Sequence, residues 1–111
     1  MNILDDLNRI LTGLGLDVET GLFTGEAPDE YVVITPMFDT YPLYADNKPV
    51  CESQEARISL FSQKNYINRK HLVAETLINL GFTISGTTHL GREVDTGYFN
   101  VAIDVKKCYE F

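Results

Sequence analysis

The segment Phe99-Asn100-Val101-Ala102-Ile103-Asp104-Val105-Lys106, near the end of the chain, decides the fold. Its large apolar side chains alternate with polar or small ones, and a period of two predicts a β-strand with one face towards a core. The other face is left to water or to a partner. Such a strand needs neighbouring strands and a layer of helices over its apolar face, so the other segments must supply both.

Two segments have the apolar spacing of amphipathic helices. The first spans residues 2–14, with Asn2 as its N-cap and with carboxylates in its first turn. The second spans residues 65–80, with Asn65 as its cap and Gly81 at its end. The buried stripe predicted for this second helix consists of Ile67, Leu72 or His71, Ala74, Leu77, Ile78 and Leu80.

Further strands are predicted at 31–35, 56–63 and 82–89, where β-branched and aromatic residues are bounded by turn residues. The first of these should end before Pro36, and the connector at 15–30 contains a short strand at 18–23.

Residues 37–50 favour an extended arm or strand followed by a loop, with a polar turn at Asp46-Asn47-Lys48. Pro42 and Pro49 confine any strand there to a sheet edge, because proline has no N–H to donate. The whole order predicts one α+β domain, residues 1–111. It has a mainly antiparallel sheet of about four strands, with two helices packed on one face.

The chain carries a net charge of -7, which argues against a surface built to hold nucleic acid, because phosphates are bound by lysine and arginine. An acidic surface suits solubility or a basic protein partner. Neither a signal peptide nor a membrane-spanning run is found. We therefore expect a cytoplasmic protein in which Cys51 and Cys108 are free thiols.

The sequence offers no constellation for catalysis, for a metal or for a cofactor, and we expect none of the three. His71 and Glu75 share a helix face but have no third ligand in sight. Cys108 follows two lysines but has no base beside it. Gly13-Leu14-Gly15 follows a helix instead of a strand, so it is a helix end and not a dinucleotide fingerprint.

The remaining carboxylates lie in predicted loops and turns, where solvated acids are expected, and a glycosidase-like pair would have to be held across a cleft. They are Asp39, Asp46, Glu52, Glu55, Glu93 and Asp95.

Aromatic residues cluster in the proline-bearing segment at the predicted sheet edge. Exposed tyrosines at an edge are typical of interfaces, while the alternative is that these rings pack back on the helices. The candidate subunit interface consists of Phe38, Tyr41, Leu43, Tyr44, Asp46 and Asn47.

Two short phrases carry a resemblance to a known family: Ala45-Asp46-Asn47-Lys48-Pro49 before the strand at 56–63, and Asp95-Thr96-Gly97-Tyr98-Phe99 before the last strand. With the order of elements over residues 31–111, they resemble the small tail-completion, or tail-terminator, proteins of long-tailed phages and prophages of Gram-positive bacteria. The first 30 residues add little to this resemblance.

The resemblance implies a structural protein that forms a ring, commonly of six subunits, at the head-proximal end of the tail tube. Its expected partners are copies of itself, the tail-tube proteins and the head-neck proteins, while DNA passes through without specific binding. The expected locations are the host cytoplasm during assembly and then the head–tail junction of the virion. The family has no catalytic residues to carry over.

Three other functions compete with this interpretation. An acidic immunity or inhibitor protein would have the same size and charge. A head-completion or neck adaptor would be a neighbour of the tail terminator in the particle. A small enzyme or metal-binding module would need a convergent polar pocket, for which the sequence shows no pattern.

Overall fold

The structure is a computed structural model that describes residues 2–20 and 29–110. The elements in chain order are α1 (Ile3–Gly13), β1 (Asp17–Thr20), β2 (Glu30–Ala45), β3 (Lys48–Ser62), α2 (Tyr66–Asn79), β4 (Thr83–Arg92) and β5 (Phe99–Glu110). The strands form one sheet in the order β1-β2-β3-β5-β4, in which β1 is parallel to β2 and the other pairs are antiparallel. The predicted α+β class and mainly antiparallel sheet are confirmed, with five described strands instead of about four.

The core lies on one face of this sheet. Cross-strand neighbours such as Ile58 and Ile103 are fully buried, and both helices cover them, α1 through Leu7 and Leu11. The alternation predicted for the last strand is confirmed, since its apolar positions 101, 103 and 105 are all buried. Burial of this continuous apolar face is the main favourable term in folding.

Helix α1 begins where the sequence predicts. The backbone N–H of Asp5 donates to Oδ1 of Asn2 at 2.8 Å, so Asn2 is its N-cap. At the C-terminal end of β5, the hydroxyl of Tyr109 donates to Oδ2 of Asp6 at 2.7 Å, a buried link between the helix and the sheet.

The buried stripe predicted for α2 is largely wrong. Leu77 is buried as predicted, and Val73, which the prediction left out, is buried too. The predicted residues Ile67, Leu72, Ile78 and Leu80 are exposed. The reason is angular, because residues five positions apart, such as 67 and 72, point about 140° apart around a helix. A single sheet face cannot cover both, so α2 leaves much of its apolar surface in solvent.

The predicted end of a strand before Pro36 is also wrong, because β2 continues to Ala45. Strand β1 pairs with β2 only as far as Ile34, so no described strand flanks Pro36 on that side, and the pairing with β3 becomes irregular directly after Pro36. Strand β3 likewise begins at Lys48, well before the predicted residue 56. The extended arm or strand predicted from residue 37 is confirmed, but the loop predicted to follow it is strand apart from the turn, so the segment is a long hairpin. The predicted turn is confirmed, with φ of 52° at Asp46 and 61° at Asn47.

The short strand predicted at 18–23 corresponds in part to β1, and its residues 21–23 lie outside the described part of the chain. The expectation of free cysteines is wrong, because Cys51 and Cys108 form a disulfide with a Cα–Cα distance of 5.8 Å. Ser53 pairs with Cys108 in the register of β3 and β5, which places Cys51 diagonally across from Cys108 on the same sheet face. Neither of the two described helices has the length and apolar character needed to cross a bilayer.

Candidate subunit interface on the hairpin arm

The distal part of the β2–β3 hairpin, residues 36–53, is called the arm below. On one side, β1 pairs with β2 only up to Ile34. On the other side, β5 pairs with β3 only as far as Cys51. Beyond these points the described residues contribute only the two hairpin strands themselves. The arm thus lies at one end of an elongated molecule, whose extents are 54 × 26 × 24 Å.

The arm exposes five large apolar or aromatic side chains: Met37, Phe38, Tyr41, Tyr44 and Val50. Phe38 and Tyr44 are more than half exposed, at 55% and 58%, so these rings do not pack back on the helices. Single exposed apolar residues are ordinary, but a group of them on one small element is typical of an interaction surface. The structure therefore favours the interface alternative for the aromatic residues.

The six predicted interface residues all lie in the arm. Leu43 is placed there by its backbone, which pairs with Cys51, while Asp46 and Asn47 form the two-residue turn. The prediction omitted Met37 and Val50. Met37 could have been included because it stands next to Phe38 in the sequence. Val50 follows a proline in a segment predicted as a loop, so nothing in the sequence indicated that it would be an exposed strand residue.

Irregular pairing distinguishes the arm from a flat sheet edge. Register shifts occur between Pro36 and Asp39, between Thr40 and Leu43, and between Leu43 and Tyr44. Bulges and prolines of this kind twist a strand and interrupt its row of N–H donors, which discourages indiscriminate pairing with other edges. Recognition by this arm would therefore depend on its side chains more than on strand addition.

The base of the arm is held to the rest of the fold by polar contacts. The hydroxyl of Tyr41 donates to Oε2 of Glu52 at 3.1 Å, and this hydrogen bond with the nearby charge raises the pKa of Tyr41. The amide of Gln54 donates to Oε1 of Glu52 at 2.7 Å, and its own oxygen accepts the N–H of Ile3 at 2.7 Å. These bonds link the arm to the start of α1.

The other residues considered for chemistry do not converge. His71 and Glu75 are both exposed on α2, and the ring of His89 stands edge-on to Tyr66 with centroids 6.0 Å apart. Within residues 2–20 and 29–110, no three His, Cys, Asp or Glu side chains gather as metal ligands. Both cysteines are in the disulfide and are not available as nucleophiles.

The carboxylates divide between regions. Asp39, Asp46 and Glu52 belong to the arm, whereas Glu93 and Asp95 lie in the loop between β4 and β5. In that loop Glu93 accepts a hydrogen bond from the hydroxyl of Thr96 at 3.1 Å. The acids most relevant to an interface are therefore the three on the arm.

Comparison of the sequence with protein-family models and with curated proteins gives no match. Two observations therefore bear on function: the geometry of the arm, and the resemblance carried by the two sequence phrases.

Proposed function

We propose that this protein is a structural component of long-tailed phage particles, which closes the tail tube and joins the tail to the head by forming a ring. The observation that carries the proposal is the arm, the distal part of the β2–β3 hairpin, which exposes aromatic side chains at one end of the domain. The phage assignment itself is supported by the resemblance of residues 31–111, including the turn phrase that lies at the tip of this arm.

A ring requires a surface on each subunit that differs from the surface it meets on the next. The arm supplies such a donor surface, because its exposed side chains belong to one end of the molecule only. Burying an exposed aromatic side chain contributes on the order of 2 kcal/mol, and aromatic residues commonly dominate interface energies. Among the described large apolar and aromatic side chains of the arm, Phe38 and Tyr44 have the largest exposed fractions.

The net charge supports the second part of the proposal, the passage of DNA. With 16 acidic and 9 basic residues, the chain presents a surface that repels phosphates. A channel lined in this way would let DNA pass without holding it. Binding of linear duplex DNA by the assembled protein at low salt, measured by a gel shift, would count against this role.

The proposal is tested by measuring the mass of the purified protein by light scattering over a range of concentrations, with negative-stain images of the same samples. Because assembly can require a template, the measurement is repeated with purified tail tubes that lack a terminator. Rings, free or at one end of the tubes, are the expected result. A protein that stays monomeric in both conditions and leaves tube ends bare would refute the proposal.

The arm is tested by the double variant Phe38→Ser/Tyr44→Ser. Its matched control is Val94→Ser, which removes an almost fully exposed apolar side chain from the loop between β4 and β5. Ring formation should fall at least about tenfold in the arm variant and remain unchanged in the control. Equal behaviour of the two variants would show that the arm does not mediate assembly.

A further inference from the structure

The acceptor for an arm can be sought on the surface of the same chain. A cleft of about 380 Å³ lies beside the first turns of α2, lined by Glu30, Lys64, Asn65, Asn68, Arg69 and Leu72. Leu72 provides an apolar wall that is 38% exposed, although it stands on a helix whose other side is packed on the core. The cleft therefore combines a hydrophobic contact with polar groups at its rim.

The charge of this cleft is opposite to the charge of the arm. Among the described residues that line the cleft, Lys64 and Arg69 are opposed by Glu30, which forms an ion pair with Arg69 at 2.8 Å. On the arm, three carboxylates are opposed only by Lys48. The cleft is therefore complementary in charge to an acidic segment that carries aromatic rings.

The arm and the cleft cannot meet within one molecule. Glu30 of the cleft stands at the first residue of β2, while the turn of the arm follows the last residue of that 16-residue strand. At about 3.3 Å per residue the two ends are separated by roughly 50 Å. An arm that reaches a cleft must therefore reach the cleft of another copy. Contacts of this head-to-tail kind close into rings or continue as filaments.

We propose that the cleft beside α2 is the acceptor for the arm of a second copy of this chain. One aromatic side chain of the arm lies against Leu72, and the acids of the arm face Lys64. This inference rests on the proposed function, because it names the second half of the subunit contact that a ring requires.

The test compares two substitutions on the same helix. Leu72→Asp places a carboxylate in the cleft, whereas the control, Ile78→Asp, places one on a more exposed part of α2 outside the cleft. The concentration at which half of the protein is assembled should rise at least about tenfold for Leu72→Asp and less than about threefold for Ile78→Asp. Urea unfolding of both variants verifies that each one is folded.

An exchange of charges between the arm and the cleft distinguishes loss of the contact from loss of folding. Lys64→Glu should weaken assembly because it sets like charges against each other, and Asp39→Lys on the arm should do the same from the other side. The chain that carries both substitutions should assemble better than either single variant, because its arm and cleft are complementary again. If each substitution only impaired folding, the two defects would add, and the double variant would assemble worse than either single variant.

The outcomes separate this inference from the function on which it rests. Wild-type protein that forms no rings, alone or on tail tubes, refutes both. Wild-type rings that persist in Leu72→Asp, or that are lost equally in Ile78→Asp, refute the cleft as the acceptor and leave the ring in place. Failure of the double charge exchange to improve assembly also counts against the pairing of arm and cleft.

Discussion

The disulfide between Cys51 and Cys108 offers the most quantitative test of the fold. We predict that reducing it, or replacing both cysteines by serine, destabilises the protein without altering its core. Cys51 is half-buried and Cys108 is exposed, so serine fits at both positions and little apolar burial is lost. What changes is mainly the freedom of the unfolded chain, in which the bridge closes a large loop.

The size of the effect follows from the sequence separation of 57 residues between the two cysteines. The loop-entropy relation gives about 4 kcal/mol for a loop of this length at 25 °C. For a chain of 111 residues this corresponds to a fall in Tm of roughly 15 °C, since each kcal/mol shifts the midpoint of a small domain by several degrees.

The assay is urea unfolding followed by circular dichroism, on oxidised protein and on protein kept in reductant. The double serine variant is the control, and we expect it to have the stability of the reduced wild type and to ignore the reductant. A mass measurement after thiol alkylation verifies that the oxidised sample contains the bridge. Agreement of the oxidised and reduced free energies within about 1 kcal/mol would refute the reasoning.

Three further predictions concern single residues. Burial and the hydrogen bond to Asp6 raise the pKa of Tyr109 in the folded protein, so the stabilisation by Tyr109 is present below about pH 10 and is lost as the pH rises above it. The free energy of unfolding of Tyr109→Phe should therefore fall less steeply than that of the wild type between about pH 10 and 11. Asn47→Val should destabilise the hairpin by about 1–2 kcal/mol in urea unfolding, while Asn47→Gly should not, because φ is 61° there. Ile58→Ala should cost about 2–5 kcal/mol by the same measurement, and a cost below 1 kcal/mol would contradict its place in the core.

Local sequence patterns predicted the elements that depend on local chemistry. The alternation in β5, the cap at Asn2 and the turn at Asp46 and Asn47 can each be recognised within a few residues, and all three are confirmed. The location of the aromatic residues on an extended arm could also be anticipated, because prolines exclude the centre of a sheet.

The features that depend on distant neighbours could not be predicted in this way. Which face of α2 is buried depends on how the helix lies across the sheet. Counting apolar residues correctly selected Leu77, but it also selected Leu72 and Ile78 and missed Val73. The length of β2 depends on where β1 stops. The disulfide depends on the register of β3 with β5, and an argument from cellular compartment could not reveal that register.

The continuity of β2 and β3 has a mechanical consequence for assembly. The strands that build the arm also run through the core, so the arm is a direct continuation of the sheet and its direction follows from the sheet. If subunits join through this arm, the angle between neighbours is set by the twist of one hairpin. The curvature of a ring would then be determined by the three irregularities in its pairing. Deleting Met37, which lies in the first of these irregularities, would change the number of subunits counted in images and not only the strength of their association.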